Sequence, residues 1–253
     1  MDYKIEVEKR VQYIRDTIAS AHSDGVILGN SGGKDCTLVS ILCKMATPNV
    51  YNVIMPCESS INYGQDRDDA WKVSKQFDIE TVEVDITEAK RALKKVIEPF
   101  CGDKSTMHFS NMNPRLRMIT LYTIAQSRNL LVAGTGNLCE NVMGYFTKWG
   151  DGAYDFNPIY DLKVSEVYGM LEYLGAPECI IKKVPSAGLY EGQTDEKEMG
   201  VTYTSIENFI DGKVDESHEK IARVYARTAH KRRLTSVYNR VELNPNGGKK
   251  TNK

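Results

Sequence analysis

A glycine-rich turn with the sequence "GNSGGKDC" holds the first residues whose types and spacing could do chemistry, and it follows an apolar run. Glycines after a buried strand let the backbone turn sharply and aim successive N–H groups into one concavity, to which a following helix adds the positive end of its dipole. Ser31 and Lys34 add a hydroxyl and a charge, and Asp35 is a candidate ligand for a Mg²⁺ ion that bridges phosphates. The GxxxxGK[ST] spacing is absent. The spacing alone favours a phosphate-binding loop, and the alternative is a purely structural turn between a strand and a helix.

A second turn of the same kind, "GTGNLCEN", follows a later apolar run. Glu140 lies four residues past Gly136, which predicts a position on the first turn of a helix. Alone it reads as a helix-favouring acid near a positive dipole end. If the turn shares a sheet edge with Asp35, Glu140 becomes a second carboxylate for the metal. The four histidines have no mutual ligand spacing, so a zinc site is not expected.

The elements that must position these turns alternate between strand and helix. Val7, Val11, Ile14 and Ile18 recur at helical spacing and predict a helix over residues 5–22. Predicted strands are "GVILGN", "VYNVIM", "TVEVDI" and "NLLVAGT", each followed by a helical segment or, after the fourth, by the second turn. Mostly apolar strands that alternate with helices predict an α/β fold, a Rossmann-like parallel sheet with helices on both faces. Ligands bind beyond the carboxyl ends of such strands, which places the two turns side by side.

The rest of the chain is less regular. "GYFTKWGDGAYDFNPIYD" and "KVPSAGLYEGQTDEKEMG" have no period and predict long ordered loops, which are usually functional when they lie inside a compact domain. A last helix is predicted over about 215–231, ending in the basic cluster "HKRR", by default an exposed helix end. We expect a single domain over 1–240 and a flexible polar tail over 241–253.

Composition narrows the class of protein. The 253 residues carry a formal net charge of −1 and are 41% hydrophobic, so neither nucleic acid nor an anionic membrane is an expected partner. No apolar run is long enough to cross a bilayer, and the first residues do not read as a signal peptide. The six cysteines form no CxxC pair. We interpret them as reduced thiols of a cytoplasmic protein.

With these motifs in place, the sequence resembles the NAD synthetases, of the N-type ATP pyrophosphatase (adenine nucleotide alpha-hydrolase-like) group. The matching stretches run from about Ile5 to Arg233 and include "NSGGKDC", "RLRMITLY", "GTGNLCENVMGYFTKWGDGAYDFNPI", "VPSAGLYEGQTDEKEMGVTY" and "TAHKRR". "GYFTKWGDGAYDFNP" followed by "HKR" is specific, because separated motifs occur in the right order. The resemblance implies that Mg-ATP adenylates the nicotinate carboxylate of deamido-NAD and releases pyrophosphate. Ammonia then attacks the acyl-adenylate, leaving NAD and AMP.

The resemblance also implies roles for individual residues. Asp35, Glu140 and Lys148 would be catalytic through metal binding and charge stabilisation, with Asp35 and Glu140 as the Mg²⁺ ligands. The residues that would contact ATP are Gly29, Ser31, Gly32, Gly33, Lys34, Asp35, Cys36, Thr135 and Ser186. Those that would contact deamido-NAD are Arg115, Tyr145, Lys148, Asp151, Asp155, His230 and Lys231, with Tyr145 placed to stack on the pyridine ring.

Three positions depart from the family pattern. Cys36 replaces a serine, and its thiol is larger than a hydroxyl and a weaker hydrogen-bond donor. If the thiol is exposed and partly ionised, it would make activity sensitive to oxidation. The simpler interpretation is that the thiol replaces the hydroxyl at little cost. Val164 stands where a phosphate-binding lysine is expected. Lys163 is one residue earlier, a shift that turns a helical side chain by about 100°, and Lys34 is the other candidate for that charge. Pro114 suits a first helical turn, so we expect a helix to begin near it.

The resemblance further implies a homodimer that binds deamido-NAD across its interface, with the N-terminal helix and the helix over 111–127 as contact faces. The chain has no room for a glutamine-hydrolysing domain, so we expect free ammonia, or ammonia from a separate glutaminase subunit, as the nitrogen source. One alternative is a related amidotransferase or thiolase that acts on another nucleotide acid or on RNA. The other is a nucleotide-binding module without catalysis, which would not need two metal carboxylates.

Overall fold

A four-stranded parallel sheet forms the centre of the protein in the computed structural model. The structure describes residues 1–58, 63–102, 107–183 and 194–233, together with the backbone of 242–243 and 249–250. The strands are β1 (Gly25–Gly29), β2 (Val50–Ile54), β3 (Glu80–Glu83) and β4 (Leu130–Val132). Their order across the sheet is β3-β2-β1-β4, and every pairing is parallel. The predicted α/β class is confirmed.

Helices occupy most of the described chain outside the sheet. Before β4 they are α1 (Tyr3–Ser20), α2 (Lys34–Ala46), α3 (Gln65–Gln76), α4 (Thr87–Ile97), α5 (Met107–Ser110) and α6 (Met112–Arg128), with a 3₁₀ turn over Glu98–Phe100. After β4 they are α7 (Leu138–Met143), α8 (Val164–Tyr173), α9 (Glu178–Ile181), α10 (Asp195–Met199), α11 (Tyr203–Ile210), α12 (His218–Arg227) and α13 (Ala229–Arg232). None of the helices in the described parts is long and apolar enough to cross a membrane.

Helices pack on both faces of the inner strand β1. Successive strand residues point to opposite faces, so Val26 and Leu28 join a core with apolar residues of α1, α2 and α8. Ile27 joins a second core that includes Ala125 of α6. The side chains of β1 between Val26 and Leu28 are fully buried, as expected for a parallel strand covered on both sides.

A third core lies beyond the sheet and supports the second turn. Cys139, Val142 and Met143 of α7 pack there with residues of α11 and α12, among them Ile206 and Ile221. The short helix α7 is therefore held by the last part of the described domain, although it follows directly on the edge of the sheet.

Most of the predicted elements are found, with shifts at their ends. The N-terminal helix spans Tyr3–Ser20, and α6 begins two residues before Pro114, as expected for a proline in the first turn. The predicted last helix is divided at Thr228, where α12 ends and α13 begins. In the predicted polar tail, β5 (Glu242–Leu243) and β6 (Lys249–Lys250) pair antiparallel; the flexibility of the tail stays a prediction.

Candidate active site

The glycine-rich turn joins the end of β1 to the start of α2 and has the geometry of an anion site. Gly32 has a φ of +67°, and a Cβ there would lie 2.2 Å from the carbonyl oxygen of Asp66, so only glycine fits. Asn30 is buried, and its Oδ1 accepts the N–H of Gly32 at 3.0 Å. Gly33 is the N-cap of α2, and no side chain among the described residues caps that end. The first N–H groups of α2 are thus left for an anion.

Cys36 lies at the start of α2, and its thiol is half-buried. Its Sγ is 3.2 Å from Ser31 Oγ, and the side chain of Thr135 also lies beside it. Burial raises the pKa of the Cys36 thiol above its usual value. A raised pKa disfavours the ionised thiol that redox sensitivity would require and favours the simpler interpretation of a replaced hydroxyl, which stays a prediction.

The two turns meet because β1 and β4 are neighbours in the sheet, and Asn137 joins them. Asn137 is fully buried and is the N-cap of α7. Its Nδ2 donates to Asp35 Oδ1 at 3.1 Å. Its backbone N–H donates to Glu140 Oε2 at 3.1 Å, while its Oδ1 accepts the Glu140 N–H at 3.0 Å. One residue thus orients both predicted metal carboxylates.

Lys34 supplies the positive charge beside these carboxylates. Its Nζ is 2.7 Å from Asp35 Oδ2, and its side chain is almost completely buried. Burial works to lower the pKa of Lys34, but the charges of Asp35 and Glu140 outweigh it and raise that pKa above its usual value. Burial, and then the charge of Asp35, raise the pKa of Glu140 well above its ordinary range. A further cation at this point would relieve the repulsion between the two carboxylates.

The donor set fits Mg²⁺ rather than a metal held by protein ligands alone. In the described parts of the chain, His, Cys, Asp and Glu form no group of three or more that could hold a metal. Asp35 and Glu140 offer two carboxylates, and Mg²⁺ is commonly held by one or two carboxylates with substrate phosphates completing the shell. The anion site at the start of α2 lies where such phosphates would bind.

Asp195, at the start of α10, is a buried carboxylate that the sequence did not single out. Its Oδ2 accepts the hydroxyl of Tyr203 at 2.8 Å, while its Oδ1 has no hydrogen-bond partner among the described residues. Burial raises the pKa of Asp195, and Lys34 Nζ lies 5.6 Å from the centre of the Tyr203 ring. An open acceptor so close to the predicted reaction centre suits a cationic or hydrogen-bond-donating reactant.

The loop over 144–151 gathers several of the residues predicted to hold the second nucleotide. Lys148 Nζ donates to the carbonyl of His230 at 3.0 Å, and Asp151 Oδ1 accepts the N–H of Thr147 at 2.9 Å. Burial raises the pKa of Asp151. Tyr145 donates its hydroxyl to Glu198 Oε2 at 2.6 Å.

Two more residues predicted to contact deamido-NAD lie at α6: Arg115 is part of the helix, and Asp155 contacts it. Arg115 is in the first turn of that helix, beside Pro114, whose ring would be 3.0 Å from a Cβ at Gly150. Asp155 accepts the hydroxyl of Tyr122 at 3.1 Å and the N–H of Val132 at 2.7 Å. The structure therefore packs Pro114, the neighbour of Arg115, against Gly150 of the 144–151 loop, and it binds Asp155 to α6 and β4.

The basic cluster is only partly the exposed helix end that its sequence favours, since His230 and Arg233 are exposed but Lys231 and Arg232 are half-buried. Lys231 Nζ donates to the carbonyls of Gly144 and Phe146, both at 2.7 Å. Arg232 Nη1 donates to the carbonyl of Asn141 at 3.0 Å. Both cations therefore lie at or just beyond the C-terminal end of α7, where the helix dipole favours positive charge.

Lys163 does not take the place of the phosphate-binding lysine that is expected at the position of Val164. Val164 is buried in the third core, and Lys163 Nζ pairs with Asp211 at 3.0 Å. Lys34, the other candidate for that charge, lies within the glycine-rich turn beside Asp35. Ser186, the last predicted ATP contact, lies outside the described residues.

Comparison with known proteins gives one consistent family. The family model of NAD synthase matches residues 6–244. The chain is 39% identical over 245 residues to an NH(3)-dependent NAD(+) synthetase of Archaeoglobus fulgidus, covering 94% of this chain and 97% of the relative. Among solved structures, NMN synthetase from Francisella tularensis has a TM-score of 0.89 at 37% identity, covering 94% of this chain and 99% of that one. The NH3-dependent NAD synthetase of Campylobacter jejuni has a TM-score of 0.77 at 29% identity, covering 94% and 100%.

Proposed function

The chain belongs to the NAD synthase family, and we propose that it forms NAD from deamido-NAD and ammonia at the expense of ATP. The observation that carries the proposal is the buried unit of Lys34, Asp35, Asn137 and Glu140, which lies beside an uncapped helix N-terminus. This unit offers what an adenylating enzyme needs at one point: a cradle for pyrophosphate and two carboxylates for a divalent cation.

The first step needs alignment and charge compensation rather than a covalent nucleophile. The N–H groups at the start of α2 and the ammonium of Lys34 would bind the leaving pyrophosphate, which lowers the barrier as negative charge develops on it. Asp35 and Glu140 would hold Mg²⁺, which when bound neutralises phosphate charge. The 144–151 loop, with Lys148, would orient the acid so that its carboxylate meets the α-phosphorus in line.

The second step needs ammonia close to the activated carbonyl. Asp195 would receive it, because its side chain is buried beside Tyr145 and its Oδ1 makes no hydrogen bond of good geometry within the described chain. A carboxylate there can accept hydrogen bonds from an ammonium ion and take up its proton, leaving neutral ammonia as the nucleophile.

The assay follows product stoichiometry. The protein is incubated with deamido-NAD, Mg-ATP and ammonium, and NAD, AMP and pyrophosphate are quantified; equal amounts of all three are expected. Glu140→Gln should lose most of this activity, whereas Lys182→Met should retain it, since Lys182 is exposed and pairs with Glu178. Binding of ATP without Mg²⁺-dependent AMP formation would contradict the proposal and favour a non-catalytic module.

A nucleotide acid with one phosphate is a second candidate substrate. The similarity to the Francisella tularensis NMN synthetase is higher, in TM-score and identity, than that to the Campylobacter jejuni NAD synthetase. A ligase that makes NMN by amidation would act on nicotinate mononucleotide. The ratio of kcat/KM for deamido-NAD and nicotinate mononucleotide decides between them: a ratio above one supports the dinucleotide, and a ratio below one the mononucleotide.

We also propose a homodimer in which α1 and α6 form the contact. Both helices expose large apolar side chains, including Ile5 and Tyr13 on α1 and Ile119 on α6, which is 54% exposed. Exposed apolar surface of this kind marks interaction sites. Light scattering of the active protein at micromolar concentration should give the mass of a dimer, and a monomer mass would contradict the proposal.

Two further proposals concern where the protein works and its nitrogen source. Cytoplasmic localisation is supported by the six cysteines, all of which are free. Ammonia, free or delivered by a separate glutaminase subunit, is proposed as the nitrogen donor. Turnover on glutamine faster than on ammonium at equal concentration would contradict it.

A further inference from the structure

Lys183 binds the back of the phosphate-binding turn, although it lies about 150 residues later in the sequence. It follows α9 by two residues, and its side chain is 25% exposed. Its Nζ donates to the carbonyl oxygen of Gly32 at 3.0 Å. The same ammonium lies 2.7 Å from Asp66 Oδ1 and 3.2 Å from Asp69 Oδ2, both on α3. Three oxygens from two elements therefore surround this one cation.

We propose that Lys183 is a positioning residue that aims the phosphate-binding N–H groups, an inference that rests on the proposed function. The C=O and N–H of a trans peptide point in opposite directions. When Lys183 fixes the Gly32 carbonyl on the α3 side of the turn, the N–H of Gly33 in the same peptide plane points away from α3. Gly33 is the uncapped N-cap of α2, so this direction is the one from which an anion approaches the helix.

The turn needs such an anchor because its glycines provide no side chains to pack. Gly32 has a left-handed backbone conformation, with its Cα against the first turn of α3. Its N–H is held by Asn30 Oδ1 at 3.0 Å, and its carbonyl is held by Lys183. Both polar groups of Gly32 are thus fixed by side chains from elsewhere, which sets the orientation of the peptides before and after it.

Lys183 acts through Gly32 rather than on phosphate directly. An ammonium has three N–H donors, and the three oxygens already described use them. Asp69 is 2% exposed at its side chain and also accepts from Gln65 Nε2 at 2.7 Å. Because the two carboxylates hold the lysine on the α3 side, its charge stays behind the turn.

The test compares Lys183→Met with Lys182→Met, a matched control one residue earlier. Lys182 is 72% exposed at its side chain and pairs with Glu178 at 2.8 Å. Binding of Mg-ATP and of inorganic pyrophosphate is measured by calorimetry, together with KM and kcat in the NAD-forming assay. For Lys183→Met we expect about ten- to a hundredfold weaker pyrophosphate binding, the factor that one hydrogen bond to a charged group represents. KM for deamido-NAD should stay within about twofold, and Lys182→Met should match wild type in every measurement.

Two further variants separate the loss of the contact with Gly32 from a failure to fold. Lys183→Arg retains donors to the carbonyl and should recover part of the pyrophosphate affinity, which a purely structural role would not require. If Lys183→Met does not fold, Asp69→Asn/Lys183→Met removes one uncompensated charge without restoring the bond to Gly32, and it should show the same loss of affinity. A folded Lys183→Met, or a folded double variant, with wild-type pyrophosphate affinity would overturn the inference. Equal losses in Lys182→Met would overturn it as well.

Binding and turnover separate this inference from the proposed function. A wild-type protein that binds ATP and pyrophosphate but makes no NAD would contradict the function, while the affinities of the Lys183 variants would still test the positioning role. Normal NAD formation with unchanged affinities in folded Lys183→Met would contradict the positioning role alone.

Discussion

Asn137→Ala is the substitution from which we expect the clearest combined loss of stability and metal response. The fully buried side chain caps α7 and donates to Asp35. Loss of an N-cap costs about 1 kcal/mol, and loss of a hydrogen bond to a charged group about 1.5–3 kcal/mol. We therefore expect the free energy of unfolding to fall by about 2.5–4 kcal/mol. In a domain of this size each kcal/mol lowers Tm by about 2–4 °C, which gives a decrease of about 5–15 °C.

The metal response distinguishes the role at the site from the role in the helix. Without the Asn137 side chain, Asp35 loses its amide donor and the Glu140 N–H loses its acceptor, while the backbone donor to Glu140 Oε2 is kept. The Mg²⁺ concentration for half-maximal NAD formation should rise about tenfold, equivalent to one hydrogen bond of about 1.4 kcal/mol. Asn137→Ser keeps a capping oxygen and lacks the donor to Asp35. It should recover about 1 kcal/mol of stability without recovering the Mg²⁺ dependence. An Asn137→Ala protein with wild-type Tm and wild-type Mg²⁺ dependence would refute the reasoning.

Three other substitutions test separate parts of the site. Gly32→Ala forces a Cβ to within 2.2 Å of the Asp66 carbonyl oxygen in a left-handed backbone, so thermal unfolding should report a loss of about 2–4 kcal/mol and calorimetry weaker ATP binding. Cys36→Ser should keep its activity, and peroxide should inactivate it at the wild-type rate, because burial raises the pKa of the thiol; a slower inactivation would contradict this. Burial works to raise the pKa of Asp69, yet its hydrogen bonds, the one from Lys183 first, lower it. The lowered pKa of Asp69 means that its ionised form stabilises the folded protein. This contribution is fully present above the unfolded pKa of about 3.9 and is lost as pH falls through the lower folded pKa. Lys183→Met should thus unfold at a higher pH in a circular-dichroism acid titration, and an unchanged midpoint would count against it.

The sequence predicted the elements of the sheet and the meeting of the two turns, because both depend on local pattern. Apolar runs marked all four strands, and the parallel class follows from their alternation with helices. The prediction that Glu140 lies on the first turn of a helix also depends on local pattern, and the structure confirms it: Glu140 is the third residue of α7 and closes a capping box with Asn137. The spacing of Asn137 and Glu140 is itself a capping signature, which could have identified Asn137 from the sequence.

Other parts of the site depend on contacts between distant residues and left no local signal. Lys183 and Asp195 each lie in a stretch without periodicity, and their importance comes from partners contributed by other elements. The sequence predicts an exposed helix end for the whole basic cluster, because the partners of Lys231 and Arg232 are backbone carbonyls in and just after α7. Carbonyl acceptors are present in every residue, so sequence cannot indicate which of them a lysine or arginine will find.

The dependence of α7 on the cluster at 231–232 sets an order for assembly during synthesis. The helix carries Glu140 at one end, and its other end is held by Lys231 and Arg232, about 90 residues later in the chain. Ribosomes synthesise the chain from its N-terminus onwards. The sheet and the glycine-rich turn therefore emerge well before the cations that hold α7. A nascent chain that has not reached residue 232 can bury β1 and β2 but lacks the contacts that hold the C-terminal end of α7, the helix that carries Glu140. The predicted metal site is in this sense completed late, when α13, the last of the described helices, docks beside the short helix α7.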